Sequence, residues 1–188
     1  MEKVLSGIKN SKLAEWIGTK IGKTVVGTVL LSGIGIALPR IFHVLAGATA
    51  GATYLPMHIA VLIAALTFGV ISGSVVAGIS IVFSYLLTGM PTLARLPYML
   101  IELLLYAVLL GVFSKKFSSY VSLILSLVIG RVLYAGVLFA AGNIFGFNLA
   151  GISGVLDAVR TGIPGLLIQL AFVPFIASSI KKGIKLND

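Results

Sequence analysis

Apolar residues in this chain form six long runs, separated by short stretches rich in glycine, proline, serine or charged residues. The runs cover residues 24–45, 57–71, 75–87, 97–113, 120–141 and 163–180. A helix needs about 20 apolar residues to cross a hydrocarbon core about 30 Å thick, and the second and third runs are short for that. The pattern predicts an all-α membrane protein with six transmembrane helices.

The breaks between the runs predict the loops. Pro39-Arg40 interrupts the first run, and Ser72-Gly73-Ser74 divides the second run from the third. A small-residue loop is expected over residues 46–53 and a sharp loop carrying Arg95 over residues 88–97. A mixed loop with Asn148, Asp157 and Arg160 is expected before the sixth run.

The N-terminal segment, residues 1–22, alternates lysines with apolar residues at roughly helical spacing. This pattern is typical of an amphipathic helix that lies in the membrane interface, and a solvated tail is the alternative. The segment lacks the compact apolar core and small-residue cleavage site of a signal peptide. The predicted organisation is therefore an interfacial segment over residues 1–22 and one transmembrane domain over residues 23–181.

Composition agrees with a membrane location. Hydrophobic residues make up 59% of the 188 residues and charged residues 10%, and the mean hydropathy is +1.14. A soluble domain of this size could not cover so much apolar surface with so few charges. The net charge of +9 does not indicate nucleic-acid binding, because the basic residues flank apolar runs and do not share a polar face with aromatic residues. The absence of cysteine excludes disulfides and thiolate chemistry.

The lysines predict the orientation of the helices. They occur at the two chain ends and in one loop: Lys3, Lys9, Lys12, Lys20, Lys23, Lys115, Lys116, Lys181, Lys182 and Lys185. Six spans place all three groups on the same side, whereas five or seven spans would separate them. By the positive-inside rule this side is cytoplasmic, so both termini are predicted there and the polar residues of the other loops face outward.

Besides Arg40, two charged residues fall inside apolar runs. Arg131 lies about 16 Å from the outer end of the fifth run, where a charge costs about 3 kcal/mol and usually faces a cavity or a partner. Glu102, in the fourth run, shares a helical face with Tyr98 and Tyr106 and is the expected counter-charge. Either the two form a structural ion pair or they line a ligand cavity, and both can hold together.

The remaining candidates are weaker. Gln169 is a buried amide that needs hydrogen-bond partners, whereas Gly162 and Gly165 beside it are typical of close helix packing. His58 stands fifteen residues from His43 without a carboxylate at ligand spacing, so no metal site is expected. Arg40 and Arg160 are expected to snorkel to the interface. No catalytic motif occurs, so no catalytic residue is predicted.

Residues 39–176 resemble the substrate-binding S component of energy-coupling factor (ECF) vitamin transporters. The resemblance rests on Pro39-Arg40, Tyr54-Leu55-Pro56-Met57-His58-Ile59, Leu87-Thr88-Gly89-Met90-Pro91, Leu96-Pro97-Tyr98-Met99 with Glu102 and Tyr106, Gly130-Arg131 with Tyr134, and Gly162-Ile163-Pro164-Gly165 through Gln169 to Pro174. Ala60 stands where the family pattern has proline.

The resemblance implies a prokaryotic, multi-pass cell-membrane protein that binds a vitamin taken up from outside and is not itself an enzyme. Its implied partners are a scaffold membrane subunit and two ATPases, with no cofactor of its own. The family commonly docks on its scaffold through an Ala-x-x-x-Ala pair in the first helix. Gly33 and Ala37 are the nearest equivalent here.

The excess of arginine over acidic residues in the body favours an anionic ligand, and pantothenate is the best guess. The predicted binding residues are His58, Arg95, Tyr98, Glu102, Arg131, Asn143 and Gln169. Folate, riboflavin or a pyrimidine stay open. Two other classes remain: a membrane enzyme acting on an anionic lipid, with Arg95 and Arg131 on the phosphate and Glu102 or His58 as base, and a structural helix-bundle subunit.

Overall fold

The computed structural model describes residues 12–47, 49–93, 95–145 and 152–184, and all of the regular structure in them is helical. The helices in these residues are α1 (Lys12–Gly18), α2 (Lys20–Ala46), α3 (Ala50–Tyr54), α4 (Pro56–Phe68), α5 (Val70–Thr88), α6 (Leu96–Phe113), α7 (Ser119–Phe145) and α8 (Ile152–Gly183).

In the described residues, six helical segments are long and apolar enough to cross a membrane. They are α2, α3 together with α4, α5, α6, residues Ser119–Ala140 of α7, and Val155–Gly183 of α8. The predicted all-α class and the count of six are confirmed, and they indicate a multi-pass membrane protein.

Several predicted boundaries are wrong. Helix α2 continues through Pro39, and the second and third runs part at Gly69, before Ser72-Gly73-Ser74. Gly69 has a φ of 92°, which favours glycine, whereas a Cβ on Gly73 would lie 2.7 Å from the Ala65 Cβ. Gly73 is therefore a packing residue inside α5.

The predicted loops also differ. Residues 50–54 form the short helix α3 within the expected small-residue loop, and the mixed loop is partly helical. Asp157 and Arg160 lie in α8, which extends from Ile152 to Gly183 and contains both Pro164 and Pro174. Prolines are tolerated inside helices of membrane proteins, because neighbouring groups can satisfy the backbone positions that they free. Asn148 lies outside the described residues.

Helix α4 is the centre of the bundle. Eleven of its thirteen residues are buried, and it packs against α2, α5, α6 and α8. A helix that is apolar all round has no face suited to water, so its sequence agrees with this position. The buried positions of α4 supply much of the core, which Leu103 and Leu110 extend from α6.

A tight elbow joins α3 to α4 and lies against α8. Leu55 has a φ of 49°, an uncommon left-handed conformation for a residue with a side chain. A Cβ on Gly165 would lie 2.7 Å from the Tyr54 carbonyl oxygen, and one on Gly162 would lie 3.0 Å from the Leu55 Cδ1. Gly162 and Gly165 therefore serve close packing, as expected.

The described lysine groups share one end of the bundle. Lys20 at the start of α2, Lys115 after α6 and Lys181 near the end of α8 line the same cavity. Lys23 Nζ also donates a hydrogen bond of 2.9 Å to the Ile184 carbonyl oxygen. We call this the lysine end; that it faces the cytoplasm stays a prediction.

The predicted interfacial segment is only partly described. Residues 1–11 lie outside the described residues, α1 begins at Lys12, and α2 begins at Lys20. Trp16 and Ile17 in α1 are exposed, at 42% and 40%. An interfacial location for α1 and a domain boundary near residue 22 stay predictions.

Gly73 and Gly78, both in α5, test the packing of the bundle. We expect Gly73→Ala to leave the protein about 2 kcal/mol less stable to unfolding than Gly78→Ala, because the new methyl group overpacks the contact with Ala65 and Ala107. Gly78 has no atom within 4 Å of its Cβ position, so its substitution adds only helix propensity. Denaturant titration of both variants in detergent measures the difference. Equal stabilities would contradict this packing.

Candidate functional site: a buried charged cluster

An ion pair joins α6 to α7 inside the apolar bundle. Arg131 Nη1 lies 2.6 Å from Glu102 Oε1, and the two side chains are only 13% and 11% exposed. Each charge is costly to bury alone, and the opposite charge at hydrogen-bond distance offsets that cost. The structural pair expected from the sequence is therefore present.

Tyr106 and His58 complete the cluster around Glu102. The Tyr106 hydroxyl donates a hydrogen bond of 3.2 Å to Glu102 Oε1, and His58 Nε2 lies 3.7 Å from the same oxygen. The Tyr106 ring centroid is 5.9 Å from that of His58 and 5.9 Å from Arg131 Cζ, within reach of a cation–π interaction. A single carboxylate oxygen thus faces three polar side chains.

The backbone of α7 allows this arrangement. A Cβ on Gly130 would lie 2.5 Å from Cδ1 of the Tyr106 ring. Glycine therefore lets the Tyr106 ring lie directly against α7, next to Arg131. Tyr106 itself is 1% exposed, so its hydroxyl depends on Glu102 as a partner.

Two buried side chains near the middle of the fold lack hydrogen bonds. Both ring nitrogens of His58 and both amide atoms of Gln169 have no partner among the described residues. His58 is 2% exposed and Gln169 is fully buried. Leaving a buried polar group without a partner costs about 1–3 kcal/mol, so such atoms indicate where a further polar group would fit.

The cluster lies near the middle of the bundle along its length. His58 is in the first turn of α4 and Glu102 in the second turn of α6, and both helices run toward the lysine end. Arg131 is twelve residues into α7, about 18 Å along its axis from the lysine end. Gln169 is on α8, which packs against α4. A depth of about 18 Å is close to the middle of a hydrocarbon core about 30 Å thick, and the outward orientation of the polar residues stays a prediction.

The structure does not bring all the predicted residues together. Arg95 is exposed at the turn before α6, and Tyr98 is half-buried in its first turn. Asn143 is exposed and its amide donates a hydrogen bond of 2.8 Å to the Phe139 carbonyl oxygen of its own helix. None of the three has a described hydrogen bond or ion pair to the cluster. Their roles in ligand binding stay predictions.

Tyr106 was not among the predicted binding residues, although its spacing from Glu102 was visible in the sequence. Residues four apart on a helix are neighbours, and an intramembrane tyrosine needs a partner for its hydroxyl. The sequence identified His58 only as a candidate binding residue. Its approach to Glu102 was not predictable, because nothing in the sequence indicates that α4 lies against α6.

A cavity lies at each end of the bundle in the described part of the chain. One of about 60 Å³ is lined by Pro39, Arg40, His43, Ser84, Thr88 and Met90. The other, of about 290 Å³, lies at the lysine end. The charged cluster lines neither of them, so a ligand cavity around Glu102 and Arg131 stays a prediction.

Metal binding has no support in the described residues, where no three His, Cys, Asp or Glu side chains come together.

No protein-family model matches the chain, and neither a curated protein nor a solved structure matches it.

Disrupting the buried ion pair tests its importance. We expect Glu102→Gln and Arg131→Met each to lower the free energy of unfolding by about 3 kcal/mol, because each leaves an uncompensated buried group. The double variant should lose clearly less than the sum of the two. Denaturant titration of the double-mutant cycle measures the coupling.

Asp157 and Arg160 provide the matched control. Their side chains are 71% and 78% exposed and 3.6 Å apart, so Asp157→Asn with Arg160→Met should show a coupling below about 1 kcal/mol. Additive losses at Glu102 and Arg131 would show that the buried pair is not an energetic unit.

Proposed function

We propose that this protein is the substrate-binding S component of an ECF-type transporter, which binds a vitamin or related micronutrient at the buried cluster. The observation that carries the proposal is the pair of buried side chains, His58 at the cluster and Gln169 on α8, whose polar atoms have no hydrogen-bond partner among the described residues. The sequence resemblance supplies the family. In this proposal the ligand provides the missing hydrogen-bond partners.

A purely structural role for the polar residues accounts for only one of these features. It explains the Glu102–Arg131 pair, in which the two charges neutralise each other. Gln169, by contrast, has no hydrogen-bond partner among the described residues, and we expect its unmet amide to make a ligand-free bundle less stable than a leucine of similar volume would. A residue that weakens the fold is expected at a functional site.

A membrane enzyme acting on an anionic lipid receives less support. That alternative needs Arg95 and Arg131 to hold one phosphate. Arg131 is already paired with Glu102, while Arg95 is exposed at the loop before α6. The chemistry proposed for the cluster is therefore binding alone, and partner ATPases would supply the energy for uptake.

The Glu102–Arg131 ion pair restricts which chemical groups of a ligand fit the cluster. Since Glu102 neutralises Arg131, this ion pair adds no net charge to the buried cluster. The polar part of the ligand that enters the cluster is then best supplied by hydroxyl or amide groups, which can both donate and accept hydrogen bonds. Pantothenate remains the leading candidate, with its hydroxyls or amide toward His58 and Gln169 and its carboxylate toward the exposed Arg95.

A scaffold subunit would dock on the face of α2 that points away from the rest of the bundle. Gly33 and Ala37 are exposed, and no atom lies within 4 Å of the Cβ position of Gly33. Val29, Leu30 and Ile34 next to them are also exposed. Small residues four positions apart let a second helix approach closely, whereas contact with lipid does not require small residues.

Gln169→Leu tests the ligand site. We expect the variant to lose at least about tenfold in affinity for the bound micronutrient, because it removes a hydrogen-bonding amide. Its stability without ligand should be unchanged or higher, because the unmet amide is gone. Native mass spectrometry of the purified chain identifies the co-purified small molecule, and titration then gives the affinity of each variant.

Thr67→Val is the control for this experiment. The Thr67 hydroxyl is also buried and unpartnered among the described residues, but it lies at the lysine end. Its substitution should leave micronutrient affinity unchanged. An empty wild-type protein, or unchanged affinity in both Gln169→Leu and Arg131→Met, would argue against the proposed site.

Gly33→Leu with Ala37→Leu tests the docking face. We expect loss of complex formation with the scaffold subunit in co-purification, while micronutrient binding by the isolated chain persists. Gly136 and Ala140 on α7 have the same spacing and are also exposed, so Gly136→Leu with Ala140→Leu is the matched control. Equal effects of the two pairs would show that α2 has no special docking role.

A further inference from the structure

Among the described residues, two basic side chains approach the same oxygen atom of Glu102. Arg131 Nη1 lies 2.6 Å from Oε1, and His58 Nε2 lies 3.7 Å from it. An arginine side chain stays charged in proteins, whereas histidine gains or loses its charge between about pH 5 and about pH 8. The arginine contact is therefore permanent in charge, and the histidine contact depends on a proton.

His58 has nothing else to bind in the described part of the chain. Both of its ring nitrogens are enclosed and lack a hydrogen-bond partner there. A neutral imidazole has one donor nitrogen and one acceptor nitrogen, whereas an imidazolium has two donors. A movement of about 1 Å would bring Nε2 to hydrogen-bond distance from Glu102 Oε1. Taking up a proton would therefore give a buried ring a charged partner.

The groups that face His58 are few in the described residues. Helix α6 contributes Glu102 and the ring of Tyr106, whose centroid is 5.9 Å away, and α7 contributes Arg131 on the far side of Glu102. The ionisable side chains of α2, α5 and α8 form no described hydrogen bond, ion pair or ring contact with His58. Glu102 is thus the carboxylate on which a proton at His58 would act.

A proton on His58 changes the charge balance of the cluster. Two cations then share one carboxylate, and the like charges of Arg131 and His58 repel each other. An uncompensated charge inside an apolar bundle is costly. If an anionic group binds to Arg131 while Glu102 pairs with His58, two positive and two negative groups are present and the cluster is neutral again. The proton and the anion therefore favour each other.

We propose that His58 is a proton-binding residue and the alternative partner of Glu102. When His58 holds a proton from solvent, it takes over the carboxylate, and Arg131 becomes available to an anionic group. When His58 is neutral, Glu102 stays with Arg131, and the cluster accepts hydroxyl or amide groups. The consequence for a ligand rests on the proposed function, whereas the exchange of partners does not.

Removing Arg131 isolates the contact between His58 and Glu102. In Arg131→Met, the carboxylate must find another counter-charge or take up a proton itself. In water an imidazole holds a proton roughly a hundred times more tightly than a carboxylate does. The Tyr106 hydroxyl also donates to Glu102 Oε1, which favours the ionised carboxylate. We therefore expect the proton on His58 and not on Glu102.

Nitrogen-15 NMR of the full chain with labelled histidine measures this charge, because the two ring nitrogens resonate far apart in imidazole and close together in imidazolium. The chain has two histidines, so His43 is the internal reference and His43→Gln assigns the signals. We expect the ratio of charged to neutral His58 at about pH 7 to be at least about tenfold higher in Arg131→Met than in the wild type. Glu102→Gln with Arg131→Met should return this ratio to the wild-type value or below.

An unchanged ratio in Arg131→Met would overturn the proposal, since Glu102 would then have taken the proton. An equal rise in the double variant would also overturn it, because loss of repulsion from Arg131 would explain the rise without Glu102. Arg131→Gln is the milder second variant if the methionine variant does not fold. Its amide can still donate to Glu102, and the ratio should rise in the same direction.

Pantothenate and its uncharged alcohol, pantothenol, are matched probes for the ligand. Calorimetric titration gives both affinities at about pH 7.5 and about pH 5.5. At the lower pH we expect pantothenate to gain at least about fivefold relative to pantothenol in the wild type and in His43→Gln. An equal gain in His58→Gln would exclude the proton at His58 as its cause. Binding of neither probe would count against pantothenate in the proposed function, while the NMR comparison decides the role of His58 by itself.

Discussion

Glu102 and Arg131 face each other across α6 and α7 at 2.6 Å, in surroundings where neither charge could remain alone. Much of the arrangement around them depends on this pairing. Gly130 lets the Tyr106 ring lie against α7, and the ring brings its hydroxyl to Glu102. His58 reaches the same carboxylate from the central helix α4. The ion pair therefore joins three helices at one point.

A few buried polar atoms among the described residues have no hydrogen-bond partner, and the apolar surroundings make each of them costly. In water an unpartnered amide or hydroxyl is solvated at no cost, whereas the same group buried among apolar helices is costly without a partner. Gln169 on α8 and Thr67 on α4 are such groups among the described residues. Each marks a position in the interior where a further polar group would satisfy a buried atom.

Much of the architecture was predictable from the sequence, but the exact breaks were not. Ser72-Gly73-Ser74 looked like a loop because small polar residues often end helices, yet Gly73 is needed for close contact with Ala65. Gly69 alone ends α4 because its φ of 92° favours glycine. Pro39 likewise looked like an interruption, and α2 runs through it. Local propensity cannot show which neighbour a residue will meet.

The sequence by itself determined the six apolar helices, the separation of lysines from the buried charges, and the pairing of Glu102 with Arg131, because apolar length and the cost of isolated charge act locally. Only the tertiary structure decided that α4 is central, that His58 and Tyr106 share one carboxylate oxygen, and that three distant lysines line one cavity. These contacts depend on how helices pack against one another. Apolar patterning that is uniform around a helix carries no information about its neighbours.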